Sequence, residues 1–254
     1  MPTRDTAPIG APCWVDLTTS DTDGSQTFYR QLFGWTADEP DVALGGYVNF
    51  RKDGVRVAGC TANQPGSGPD TWSVYLATDD ARKTVAAAAA NGGRTLVEAA
   101  EVGDLGTMAI VSDPGGGVIG MWQPGTFHGF GVLGEPGTPG WFEVHTPDYD
   151  RAVAFYRDVF RWDTHVANDT PELRYTTLGE GYDAQAGIMD ASAFLPAGSP
   201  ARWTVYFMVA DADATLARIV ELGGSVVAPA EDTPYGRLAT GADTTGAEFR
   251  LLAR

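Results

Sequence analysis

Several things are scarce in this chain. Its 254 residues include 2 cysteines, Cys13 and Cys60, and 3 histidines, His128, His145 and His165. Two cysteines with no Cys-x-x-Cys spacing exclude a disulfide framework and a cysteine-rich zinc module, so both are expected as reduced, buried small hydrophobes. No histidine precedes His128, which excludes a histidine-built metal site or catalytic pair from the first half. Basic residues number 17 against 33 acidic ones, a formal net charge of -16. Nucleic acid and anionic membranes recruit Lys and Arg, so neither is expected as a partner. The acidic balance reads as a solvated surface. No run approaches the roughly 20 apolar residues of a membrane span. The opening Met1-Pro2-Thr3-Arg4-Asp5-Thr6 lacks the apolar segment of a signal peptide. A cytoplasmic chain is expected, with the ordinary globular composition of 43% hydrophobic and 20% charged residues.

What the chain does have is a repeat. Trp14, Asp21, Phe28, Tyr29, Arg30, Phe33 and Trp35 fall on Trp141, Asp148, Phe155, Tyr156, Arg157, Phe160 and Trp162 at one ungapped offset. A second offset relates Trp72, Val74, Tyr75, Gly92 and Gly93 to Trp203, Val205, Tyr206, Gly223 and Gly224. Each segment starts with an alternating strand, passes an Asp of N-cap type, and continues with apolar residues at helical spacing. Glycine then stops the helix, as Gly34 does after Phe33. Short strands follow, among them Gly46–Arg51 and Val55–Cys60, separated by the Asp53-Gly54 turn signal. The pattern occurs four times. It predicts an α+β protein of four βαβββ modules, with curved mixed sheets and helices packed on one face. The first domain is expected over residues 1–124 and the second over 140–254. A Gly- and Pro-rich linker, 125–139, joins them.

These motifs resemble the vicinal oxygen chelate superfamily of glyoxalase I, bleomycin-resistance proteins and extradiol dioxygenases. The first helix there carries Asp, Phe-Tyr and Phe-Gly, matched here by Asp21, Phe28-Tyr29 and Phe33-Gly34. The module's last strand follows Asp-Pro-x-Gly, matched by Asp113-Pro114-Gly115-Gly116. The likeness covers nearly the whole chain and is nearest to two-domain glyoxalase-like or hydroxylase-like members. It implies two glyoxalase-like domains, each with a cupped cavity whose inner strands hold a divalent metal through His, His and Glu. The positions implied for those ligands carry Trp14 and Trp141, then Ser73 and Thr204, then Gly120 and Arg250. None is a usual metal ligand, because indole and guanidinium offer no lone pair and glycine has no side chain. No metal and no cofactor is therefore expected.

Strand alternation then lists what lines the cavities. In the first domain these are Trp14, Asp16, Ser73, Tyr75 and Trp122, with Gly120 leaving space. In the second they are Trp141, Glu143, His145, Thr204, Tyr206, Met208 and Arg250. Aromatic walls with sparse polar anchors suit a small planar molecule. The expected function is binding of a hydrophobic or aromatic molecule, such as an antibiotic-type natural product, for sequestration or self-resistance. The alternative is a glyoxalase- or lyase-type, or oxygenase-associated, enzyme of secondary metabolism. There Glu143 and His145 form an acid–base pair; otherwise they are a hydrogen-bonded pair anchoring Arg250. A monomer or homodimer is expected.

Overall fold

The computed structural model describes residues 6–254. Module one runs β1 (Pro12–Thr19), α1 (Thr22–Phe33), β2 (Thr36–Ala37), β3 (Val48–Lys52) and β4 (Val55–Ala62). Module two runs β5 (Thr71–Ala77), α2 (Ala81–Ala90), β6 (Arg94–Val102), β7 (Gly106–Ser112) and β8 (Val118–Pro124). Module three has β9 (Pro139–Thr146), α3 (Tyr149–Phe160), β10 (Thr164–Asp169), β11 (Arg174–Leu178) and β12 (Ala186–Asp190). Module four has β13 (Arg202–Val209), α4 (Ala212–Glu221), β14 (Ser225–Thr233), β15 (Gly236–Ala242) and β16 (Glu248–Ala253). The α+β class and the four βαβββ units are as expected.

The helices begin where the sequence marks them. Asp21, Asp80 and Asp211 each accept a backbone N–H of the first turn, satisfying one of its orphan donors. Asp148 holds the same position in α3 without a side-chain cap bond. Helix α1 closes on Gly34 in the left-handed region, at φ 72°. Its twin α3 closes on Arg161 at φ 58°.

Modules one and two share one 8-stranded sheet, ordered β2-β3-β4-β1-β5-β8-β7-β6. Modules three and four form the second, ordered β10-β11-β12-β9-β13-β16-β15-β14. The two halves of each sheet join through antiparallel pairing of the first strands, β1 with β5 and β9 with β13. One face of each sheet lines its cavity. The other faces meet back to back, β5 against β13, with α1 beside α4 and α2 beside α3.

The seam is aromatic and continuous. Phe207 lies 5.2 Å from Phe33 and 5.2 Å from Trp72 by ring centroid. Phe142 stacks on Phe130 at 5.6 Å. Two reciprocal bonds cross the seam. The Tyr29 hydroxyl donates to Asp243 at 2.9 Å and accepts from the Trp72 indole at 3.0 Å. The Tyr156 hydroxyl donates to Asp113 at 2.9 Å and accepts from Trp203 at 2.7 Å. The Phe-Tyr of one domain thus meets the turn aspartate of the other. Both free cysteines are buried. Among the described residues, no helix is long and apolar enough to cross a membrane.

Candidate functional site

The same construction appears in both sheets. Glu143, at the centre of β9, is buried with 5% exposure. It accepts from the Tyr175 hydroxyl at 2.7 Å and the Tyr206 hydroxyl at 2.6 Å, and it is bonded to His145 Nε2. The Trp141 indole donates to the Tyr175 hydroxyl at 3.0 Å. In the first sheet Asp16 takes the place of Glu143. It accepts from the Tyr47 hydroxyl at 2.6 Å and the Trp14 indole at 2.9 Å, with Tyr75 adding a further hydrogen bond. The Trp14 indole also donates to Tyr47 at 2.8 Å. Each cavity therefore has a carboxyl hub, two tyrosines and a tryptophan.

Glycine makes the hub possible. Tyr47 and Tyr175 reach the carboxyl by lying over the bare strand positions Gly59 and Gly187, where a Cβ would overlap the hydroxyl. Tyr47 and Tyr175 complete the two hubs and are absent from the expected set. The signal for them is their correspondence under nearly the same offset that relates Trp14 to Trp141. Gly120 does not leave open space, because the Tyr75 ring lies where its Cβ would be.

Beyond the hub the two cavities diverge. The second adds His145, where the first has Thr18, and Arg250, where the first has Gly120. Arg250 donates to the Tyr206 hydroxyl at 3.0 Å and lies 3.5 Å from His145 Nδ1, with its guanidinium 5.3 Å from the Tyr206 ring centroid. Both ring nitrogens of the fully buried His145 are thus engaged inside the protein.

The electrostatics follow. Burial raises the Asp16 carboxyl, and its hydrogen bonds from Tyr47, Tyr75 and Trp14 offset only part of that. Burial would raise Glu143 too. Its bond with His145, the charge of Arg250 and the Tyr175 bond overcome it and hold the carboxyl down to about 2. The four hub tyrosines are pushed well above 10, first by burial and then by the carboxylate, so they stay protonated donors.

The chain also treats the cavities differently. In the first, the linker turns inward. Phe127 packs edge-on against Trp14 at 4.8 Å, and Phe130 lies 5.4 Å from the same ring. The Trp122 indole donates to the Phe127 carbonyl at 2.8 Å. Trp14 and Trp122 are consequently occupied by the linker, with 4% and 9% exposure. Ser73 lies beside Asp16 across the β1–β5 pair. In the second cavity Trp141 stays half-buried, with Tyr206, Met208, Leu238 and Leu252 around it. Thr204 and Arg250 also line a cleft of about 260 Å³ toward the first domain.

The donors present do not fit a divalent metal. At the implied ligand positions stand two indoles, two hydroxyls, a glycine and a cation. The Glu143 oxygens are already occupied by two hydroxyls and an imidazole. Among the described residues no three His, Cys, Asp or Glu side chains cluster as a metal site.

Comparison with known proteins agrees with the duplicated architecture. The family described as the Glyoxalase/Bleomycin resistance protein/Dioxygenase superfamily matches residues 13–120 and again 138–251. The glyoxylase-like protein CFP32 of Mycobacterium tuberculosis is 36% identical over 258 residues, covering 99% of this chain and 98% of that one. The anthracycline biosynthesis protein DauV of Streptomyces sp. strain C5 is 36% identical over 273 residues, covering 96% and 93%. The Mn(II)-bound glyoxalase from Novosphingobium aromaticivorans shares the fold, with a TM-score of 0.67 at 15% identity, covering 96% of this chain and 82% of that one.

Proposed function

Because the chain belongs to the Glyoxalase/Bleomycin resistance protein/Dioxygenase superfamily, we propose that it is a metal-independent binding protein for a planar aromatic small molecule, held in the second sheet. One observation carries this reading. Trp141 is the half-buried tryptophan of the second sheet's cavity face, whereas its twin Trp14 lies under Phe127 and Phe130. An apolar concave face with few polar anchors suits such a ligand. Tryptophan stacks on flat rings at low entropic cost. The name of DauV supports the chemical class, since anthracyclines are fused aromatic polyketides. Sequestration of such a product inside the cell is the physiological role this reading suggests, by a monomer or homodimer.

A second reading is an enzyme of aromatic-product biosynthesis using Glu143 and His145. The buried Glu143–His145 pair and the DauV name favour it. The engagement of both His145 nitrogens favours binding, because no ring lone pair is free to take a substrate proton. Calorimetric titration with the hydroxyanthraquinone emodin separates the readings. Binding at tens of micromolar or tighter, unchanged after dialysis against a chelator and with emodin recovered intact, is expected. No heat at that concentration, or conversion of the ligand, overturns the binding reading.

A further inference from the structure

Trp141, Tyr206 and Arg250 stand in one row. Tyr206 pairs with Trp141 across β9–β13 and with Arg250 across β13–β16. All three side chains belong to the cavity face. Two strand spacings, about 10 Å, separate the outer members, close to the length of a three-ring aromatic system. One end of the row is a half-buried indole. The other is a guanidinium at the edge of the interdomain cleft.

Arg250 is distinctive there. A guanidinium has five N–H donors. Arg250 directs one at the Tyr206 hydroxyl and one toward His145; its charge acts on Glu143 beyond them, but among the described residues no carboxylate lies within direct ion-pair reach of it. The other charges of the cleft are already matched. Arg202 pairs with Glu248 at 3.3 Å. Asp70 accepts from Ser20 and Asn63. The hydroxyls of Thr204 and Thr240 line the same cleft. Its volume of about 260 Å³ falls below the roughly 300–1,000 Å³ of a pocket for a whole drug-sized molecule. It suits a headgroup.

We infer that Arg250 is the receptor for an oxyanion on the aromatic ligand, a carboxylate or an ionised phenol, which enters the cleft while the ring system extends across the sheet to the half-buried Trp141, with Tyr206 buried between them. The inference rests on the aromatic reading above and adds the ligand's charge and its direction. Arginine suits the task because its planar fork meets a carboxylate with two parallel bonds. Glycine stands at the matching place in the first sheet, so that cavity has no such receptor.

The test compares two probes of the same shape, anthraquinone-2-carboxylate and anthraquinone-2-carboxamide, which differ in charge and in one acceptor oxygen, by calorimetry on the full chain. The carboxylate is expected to bind at least tenfold tighter. Arg250→Met is expected to erase that preference, read as the ratio of the two affinities in the variant rather than as either affinity alone. Arg250→Lys, which keeps the charge without the fork, is expected to retain part of it. Equal affinity of the two probes for the unaltered protein overturns the oxyanion subsite and leaves the aromatic reading standing. Full preference retained in Arg250→Met overturns the assignment to Arg250. Binding of neither probe overturns the aromatic reading and the subsite together.

Discussion

At the scale of single residues, two homologous carboxyls have been driven in opposite directions. Glu143 is held down to about 2 from an ordinary 4.5, so the unfolded chain binds more protons between those values. Its contribution to stability is complete above the ordinary value and is lost as pH falls toward the folded one. Asp16 is raised from 3.8, so its contribution is complete below that value and is lost as pH rises through its folded one. Glu143→Gln is therefore expected to destabilise the protein at neutral pH by roughly 2–4 kcal/mol, because it strips a buried hub of its charge. It should also flatten the acid limb of the stability profile. Asp16→Asn should cost less by at least about 1 kcal/mol, its carbonyl still accepting from Tyr47 and Trp14. Urea unfolding across pH 2–8 checks both, and equal losses would contradict the account. The bare strand position makes a second prediction. Gly187→Ala forces Tyr175 off Glu143 and is expected to cost about 1–3 kcal/mol in a urea midpoint. Tyr175→Phe should cost a similar amount, and in a Tyr175→Ala background, where no ring lies over the strand, the change at Gly187 should cost little more.

At the scale of elements, the twin helix ends invite a direct comparison. Gly34 and Arg161 both adopt left-handed backbone, which costs a residue with a Cβ about 1 kcal/mol or more. Arg161 recovers part of this through its exposed ion pair with Asp79 at 2.6 Å, which solvent screens. Arg161→Gly in an Asp79→Asn background is thus expected to raise stability by up to about 1 kcal/mol, measured as a shift in thermal midpoint. The helices are legible in the chain for a local reason: an aspartate stands before each amphipathic run. Strands β6 and β14 are legible only in part, being edge strands with mostly exposed side chains and no clean alternation. The site divides in the same way. Trp141, Glu143 and His145 alternate on one strand and can be read together. Tyr175 meets Glu143 from 32 residues away, through a register that no local pattern encodes. The linker reads as a loose Gly/Pro segment, yet Phe127 and Phe130 fill the first cavity, because apolar residues in a linker report burial without saying where.

At the scale of the molecule, the two domains share one aromatic seam and two crossed tyrosine–aspartate bonds. A chain joined in this way is expected to melt as one unit, with calorimetric and van't Hoff enthalpies agreeing. Tyr29→Phe and Tyr156→Phe each withdraw the hydroxyl from a buried aspartate and an indole, and each should cost about 1–3 kcal/mol. The two sites lie at separate places along the seam, so their effects should add. Separate transitions for the two domains in the unaltered protein would contradict a shared core.

The crossed bonds have a consequence for heredity. The tyrosine and the turn aspartate are signatures of a single repeat, yet each tyrosine is answered by the aspartate of the other copy. Each copy therefore constrains what the other can carry at these positions. A change at Asp243 is tolerated or punished according to what stands at Tyr29. A recombinant joining the first half of this chain to the second half of a relative keeps the full strength of the seam only where both partners of each bond came through.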